Sequence, residues 1–277
     1  MTLNLNTFRP ENRLVLIGAS NLTISLRLII ELMQQYCGSP SEVLVAAGHG
    51  RSYGQGSRVL MRELPGIIQS GMWRQLHSAG TGAEPVTYAF LTDIGNDIPY
   101  QAAPEEILSW VSWCVEQLQR QGARIVMTNL PVASIEALSE RRFNLLRGIM
   151  FSSCRLSRIE VIERARRVHQ GLIQMAERRQ LVLREVEADW MSFDGIHIAY
   201  WKRRAFYRQI LQAFEQVTRC DDQPQGRMKS STVTTPAGTL LSWRQRPNFA
   251  VRRIFGKIKR APQPSGFLND QTTVALY

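Results

Sequence analysis

The sequence predicts an α/β domain: a parallel sheet of about five strands, buried on both faces and joined by helices. Three observations predict it. Five short apolar runs recur between residues 13 and 186. They are continuous rather than alternating, as expected of strands covered on both sides. Amphipathic segments with helical spacing lie between them.

The first run, residues 13–18, stops at a small-residue turn. Residues 21–36 follow with Leu22, Leu26, Ile29, Ile30 and Met33 at helical intervals. A second run, residues 42–47, ends in glycines. The third is Val86–Leu91, the fourth residues 124–129, and the fifth residues 181–186. Helical patterns are clearest at Pro104–Arg120 and at residues 157–179, with a last one at 200–217. In sheets of this kind, sites gather at the carboxyl ends of the strands.

The 277 residues are 44% hydrophobic and 21% charged, ordinary for a soluble globular chain with a large core. No apolar run is long enough to span a bilayer. Residues 1–13 lack both a basic n-region and an apolar h-region, so no secretory signal is expected. Four cysteines, Cys37, Cys114, Cys154 and Cys220, are scattered with no CxxC and no metal-ligand spacing. Reduced thiols in a cytoplasmic protein are the expectation.

The net charge of +11 is uneven. Residues 221–277 hold nine Lys/Arg against three Asp, whereas the first 220 residues hold 25 against 20. The body is therefore only mildly basic, which argues against a nucleic-acid binder. Residues 221–226 form a polar, turn-rich break, and residues 230–236 are rich in Ser and Thr. The expected organisation is a folded domain over residues 1–220 and a basic, flexible tail over 221–277, with one short helix near 251–258. Such a tail is either a solubilising extension or a contact for an anionic surface through residues 244–260.

Three islands carry chemistry: Gly18-Ala19-Ser20-Asn21, Gly95-Asn96-Asp97 and Asp194-Gly195-Ile196-His197. Each alone is weak. Ser20, between a strand and a helix, reads on its own as a helix N-cap. As a nucleophile it would gain from the free N–H groups of the helix start but needs a base. The chain has four histidines. His77 and His169 read as surface residues, and His49 lies in a glycine-rich turn. His197, three residues after Asp194, lets one loop present a base and the carboxylate that orients it. Asn96 reads alone as a turn residue, and with the others as an amide donor to an oxyanion. A further donor is expected from the turn at residues 48–54. Gly50 is the choice there, with Gly48 and Gly54 as competitors. That turn matches neither GxGxxG nor GxxxxGK[ST], so no phosphate cradle is expected.

In order and position these residues resemble the SGNH, or GDSL-type, hydrolase family over residues 13–217. The four name-giving residues would be Ser20, Gly50, Asn96 and His197, with Asp194 completing the triad. The resemblance implies a flavodoxin-like three-layer α/β/α fold and hydrolysis of a small-molecule ester through an acyl-serine intermediate, with no metal or organic cofactor. It also departs from the family: Ala19 replaces the Asp before the nucleophile, Ile198 stands where many relatives carry proline, and His49 is unusual. An acyltransferase on the same triad, or a non-catalytic module acting through its tail, are the alternatives.

Residues 131–158 are long for a strand-to-helix connection and include Arg141, Arg142, Arg147, Arg155 and Arg158. They read either as a solvated helix or as a cap that selects an anionic substrate. Tyr53, Tyr100, Phe151 and Trp190 belong either to a pocket or to the core.

Overall fold

The computed structural model describes residues 10–78, 85–151, 153–221 and 241–277. Strand β1 (Asn12–Ile17) is buried throughout and runs directly into helix α1 (Ser20–Cys37). Strand β2 (Ser41–Ala46) follows, then a short hairpin of β3 (Ser57–Val59) and β4 (Arg62–Leu64), and helix α2 (Met72–His77). Next come β5 (Val86–Leu91), α3 (Pro104–Arg120) and β6 (Arg124–Thr128). Helices α4 (Val132–Glu136), α5 (Glu140–Met150) and α6 (Arg158–Arg179) precede β7 (Val182–Arg184). The expected last helix is two, α7 (Arg203–Leu211) and α8 (Ala213–Asp221), divided at Gln212.

The five expected strands pair in parallel in the order β7-β6-β5-β1-β2. In chain order this is the 2-1-3-4-5 sequence of a doubly wound sheet, with its switch point beside β1. Side chains alternate along each strand, so the continuous apolar runs feed two layers. Val15, Ile17, Ala89 and Leu91 face Ile107, Val111, Leu118, Val168 and Leu172 of α3 and α6. Leu14, Leu16 and Phe90 face Leu22, Ile29, Ile30, Phe206 and Ile210 of α1 and α7. The result is a mostly parallel sheet between two helical layers.

Residues 241–277 are not a flexible tail. They form β8 (Trp243–Gln245), β9 (Val251–Ile254), β10 (Lys257–Arg260), β11 (Gly266–Leu268) and β12 (Thr273–Leu276). Strand β12 lies parallel to β2, with Val274 opposite Val43 and Leu276 opposite Val45. Strands β11 and β8 continue beyond it, so the main sheet has eight strands rather than about five. The cause is burial: Leu268 and Val274 are fully enclosed against the α1 side of the core.

Strand β9 pairs with β4, which joins the hairpin of β9 and β10 to that of β3 and β4 in a second, antiparallel sheet of order β10-β9-β4-β3. The helix expected near 251–258 is thus a hairpin. Its turn is Phe255-Gly256, both at positive φ (48° and 75°), the geometry of a two-residue hairpin loop. Residues 222–240, which hold most of the polar break and the Ser/Thr-rich stretch, lie outside the described residues.

Candidate active site

Ser20 is the first residue of α1, directly beyond the carboxyl end of β1. Its Oγ lies 2.8 Å from His197 Nε2, and His197 Nδ1 lies 2.7 Å from Asp194 Oδ2. The second oxygen of Asp194 accepts the backbone N–H groups of Ile196 (3.1 Å) and His197 (2.9 Å). Burial alone would raise the Asp194 pKa. The bonds from the His197 ring and from the two backbone N–H groups outweigh it, and the carboxyl sits below its usual value. Asp194 is therefore an anion beside the imidazole. The three-residue spacing works because Gly195, at φ +73°, turns the loop back on its own carboxylate.

Two residues that the sequence reading left without a role hold this arrangement together. Asp93, directly after β5 and at φ +60°, accepts the N–H groups of Ala19 (2.8 Å) and Leu22 (3.2 Å). It caps α1 from a neighbouring strand, so Ser20 is not the N-cap and its hydroxyl is free for His197. Asn21 donates to Asp93 Oδ1 (2.8 Å) and to the Ile196 carbonyl (3.0 Å), and accepts from the Ile198 N–H (2.9 Å). One side chain thus ties the nucleophile helix to the histidine loop. Gly18 belongs to the same junction, because a Cβ there would stand 2.8 Å from Thr92 Cγ2.

The glycine turn is held by Asp97. This fully buried carboxylate accepts the Tyr53 N–H at 3.0 Å and the Ser52 hydroxyl. Burial is the strongest influence on it and pushes its pKa up to about 6 against those hydrogen bonds. Gly54 packs on Trp110, where a Cβ would stand 2.1 Å from the ring, and a Cβ on Gly48 would meet Leu64 at 2.4 Å. Of the three glycines, Gly50 lines the depression that also holds Ser20, Asn96 and His197. It has φ +64°, and its carbonyl accepts the Tyr100 hydroxyl at 2.6 Å. Asn96 Nδ2 makes one long contact, 3.4 Å, to the Arg51 carbonyl. Arg51 is itself fully buried, bonded through its guanidinium to the carbonyls of Ala47 (3.2 Å) and Pro65 (3.3 Å) and to Tyr277 O. The segment at 241–277 therefore braces the turn from beneath.

His49 lines the same depression, where desolvation, Arg62 and His197 lower its pKa. It is neutral at neutral pH. His77 is exposed as expected, but His169 is half-buried, 3.4 Å from the Leu130 carbonyl. Among the four aromatics, Phe151 lines the depression and stands edge-on to Tyr100, with ring centres 5.7 Å apart. Tyr53 is core, its hydroxyl on the Thr92 carbonyl (2.9 Å), and Trp190 packs on Phe206. An apolar slot that reaches Asp194 lies beneath α4 and α5, walled by Ile98, Ile135, Leu138, Phe143 and Phe151. Two of the arginines of residues 131–158 serve that segment's own backbone, Arg147 at the Leu156 carbonyl (2.8 Å) and Arg158 at that of Leu138 (2.6 Å), while Arg142 bonds the Phe193 carbonyl in the loop that carries Asp194. Among the described residues no cluster of three or more His, Cys, Asp or Glu is placed to hold a metal ion.

No family model matches the sequence, and no curated protein matches it. Solved structures do. A carbohydrate acetylesterase family member from Sinorhizobium meliloti aligns over 74% of this chain and 98% of its own, at 15% identity and a TM-score of 0.50. An aryl esterase from M. smegmatis, determined with an inhibitor, aligns over 74% and 99% at 12% identity, also with a TM-score of 0.50. The chain has the fold of the SGNH hydrolases. A lipolytic G-D-S-L family member from Veillonella parvula is similar at 12% identity, with a TM-score of 0.47. Within this SGNH-type fold, the sheet brings Ser20, Asn96, Asp194 and His197 from three separate loops to one end of the strands. No helix among the described residues is long and apolar enough to cross a membrane.

Proposed function

We propose that this protein is a serine esterase acting through an acyl-Ser20 intermediate. The observation that carries the reading is the continuous chain from Ser20 Oγ to His197 (2.8 Å) to Asp194 (2.7 Å). His197 Nε2 takes the hydroxyl proton as Oγ attacks the acyl carbon, and Asp194 supports the imidazolium that forms. The oxyanion is received by the N–H groups of Ser20 and Gly50 and by the Asn96 side-chain amide. The first N–H groups of a helix have no intrahelical acceptor, and Asp93 takes those of Ala19 and Leu22, which leaves the Ser20 N–H for the substrate. Collapse of the intermediate returns the proton from His197 to the departing alkoxide. Water then repeats the sequence on the acyl-enzyme and releases the acid.

The solved structures of similar fold include a carbohydrate acetylesterase family member and an aryl esterase, which agrees with an ester as substrate class. The cavity that Ser20 and Asn96 share with Ile94, Leu130 and Ile135 offers the acyl group a seat. Hydrolysis of short-chain p-nitrophenyl esters tests the reading. The intact chain should turn them over, and Ser20→Ala and His197→Ala should each lower kcat by at least about 10,000-fold. Turnover that survives in both variants would remove Ser20 as nucleophile.

A further inference from the structure

The second sheet stands at the mouth of the triad depression, and its two hairpin tips are built in a way that folding alone does not explain. Leu60-Met61 joins β3 to β4, and Phe255-Gly256 joins β9 to β10. Leu60 and Phe255 both have positive φ, 54° and 48°. Two-residue hairpin loops favour Asn, Asp or Gly there, because a bulky side chain is strained in that region. These tips instead carry large apolar groups, and nothing covers them: Leu60 is 87% exposed, Phe255 73% and Met61 51%. The Phe255 N–H donates to the Met61 carbonyl at 3.1 Å, so the tips lie side by side. Leu60, Met61, Arg62 and Ile254 line the depression with Ser20 and His197, and Ile149 of α5, 73% exposed, faces them across it.

Charge supplies the second observation. Residues 57–64 and 251–260 hold seven Lys or Arg and one acid, Glu63, which Arg58 (3.8 Å) and Arg253 (3.6 Å) share. Every residue of β10, Lys257-Ile258-Lys259-Arg260, is exposed. Charges on an edge strand deter pairing with another strand, which argues against a second copy of the chain as the occupant. Apolar groups projecting from a basic rim fit an interface with an apolar interior and a negative surface.

We propose that the paired hairpin tips dock on an anionic lipid bilayer. Leu60, Met61 and Phe255 enter the interface, the basic residues of β9 and β10 meet the headgroups, and the triad depression opens at the membrane surface. Docking itself does not depend on the esterase reading.

Sedimentation of the full chain with phosphatidylcholine vesicles, and with vesicles in which a third of that lipid is replaced by phosphatidylglycerol, tests the proposal. The chain should bind the second kind and release as salt rises. Joint Lys257→Gln, Lys259→Gln and Arg260→Gln substitution should weaken binding on the order of 100-fold, and Phe255→Ser roughly tenfold. Neither variant touches the triad, so p-nitrophenyl ester turnover in solution should stay at the wild-type level in both, which keeps a failed docking result separate from a failed esterase reading. Phe255→Asn, a residue at ease at positive φ, provides a second tip variant should Phe255→Ser not fold. Absence of binding to the anionic vesicles would overturn the proposal. So would equal binding to both vesicle kinds, or a wild-type dimer in light scattering that Phe255→Ser dissociates.

Discussion

At the scale of single residues, the site depends on side chains that never meet substrate. Asn21 joins α1 to the Ile196–Ile198 loop with two hydrogen bonds and to Asp93 with a third, so its removal should leave the triad residues present but misaligned. Asn21→Ala should lower kcat by roughly 10- to 100-fold with a small change in KM, as steady-state kinetics would measure. Asp93→Ala removes the acceptor for two N–H groups at the helix start, and should cost about 1–3 kcal/mol in denaturant unfolding besides slowing turnover. Asp97 has a signature in pH. Its folded pKa is raised to about 6 from an ordinary value of 3.8. Between those values the folded state holds more protons than the unfolded one, so stability falls as pH rises through that window. Asp97→Asn should flatten that slope in urea melts taken across it. The site was legible because Ser20, Asn96, Asp194 and His197 are of types whose chemistry is diagnostic in loops beyond the strands. Asp93 was not, because its role rests on a left-handed backbone that no pattern announces and on partners drawn from the first strand's turn.

At the scale of elements, the strands that were legible are those of the parallel body, most of them buried on both faces and β7 half-buried. β1, β2, β5 and β6 are short unbroken apolar runs, and such runs carry their own signal. The strands of residues 241–277 are three or four residues long, and some are charged, as in Arg252-Arg253 of β9 or Lys257 to Arg260 of β10. They join the rest of the fold through β2 and β4, at the other end of the chain, so no local pattern marks the pairing. The glycine turn shows the same dependence on distant elements. Gly54 leaves no room for a Cβ against Trp110 of α3, and Gly54→Ala should lower stability by about 1–3 kcal/mol in thermal or chemical melts.

At the scale of the whole molecule, the C-terminal segment is part of the core. Strand β12 covers the edge of β2, Tyr277 N–H donates to the Val45 carbonyl at 2.8 Å, and buried Arg51 bonds Tyr277 O. Deletion of residues 265–277 should therefore abolish the cooperative thermal transition, whereas a dispensable tail would leave it unchanged. The central claim is that this fold activates Ser20 as a nucleophile. Its most direct test is covalent labelling by a fluorophosphonate, with the modified residue located by mass spectrometry. The account predicts one label on Ser20, lost in Ser20→Ala and in His197→Ala while circular dichroism stays unchanged. Well-folded protein that takes no label, or takes it on another residue, would contradict it.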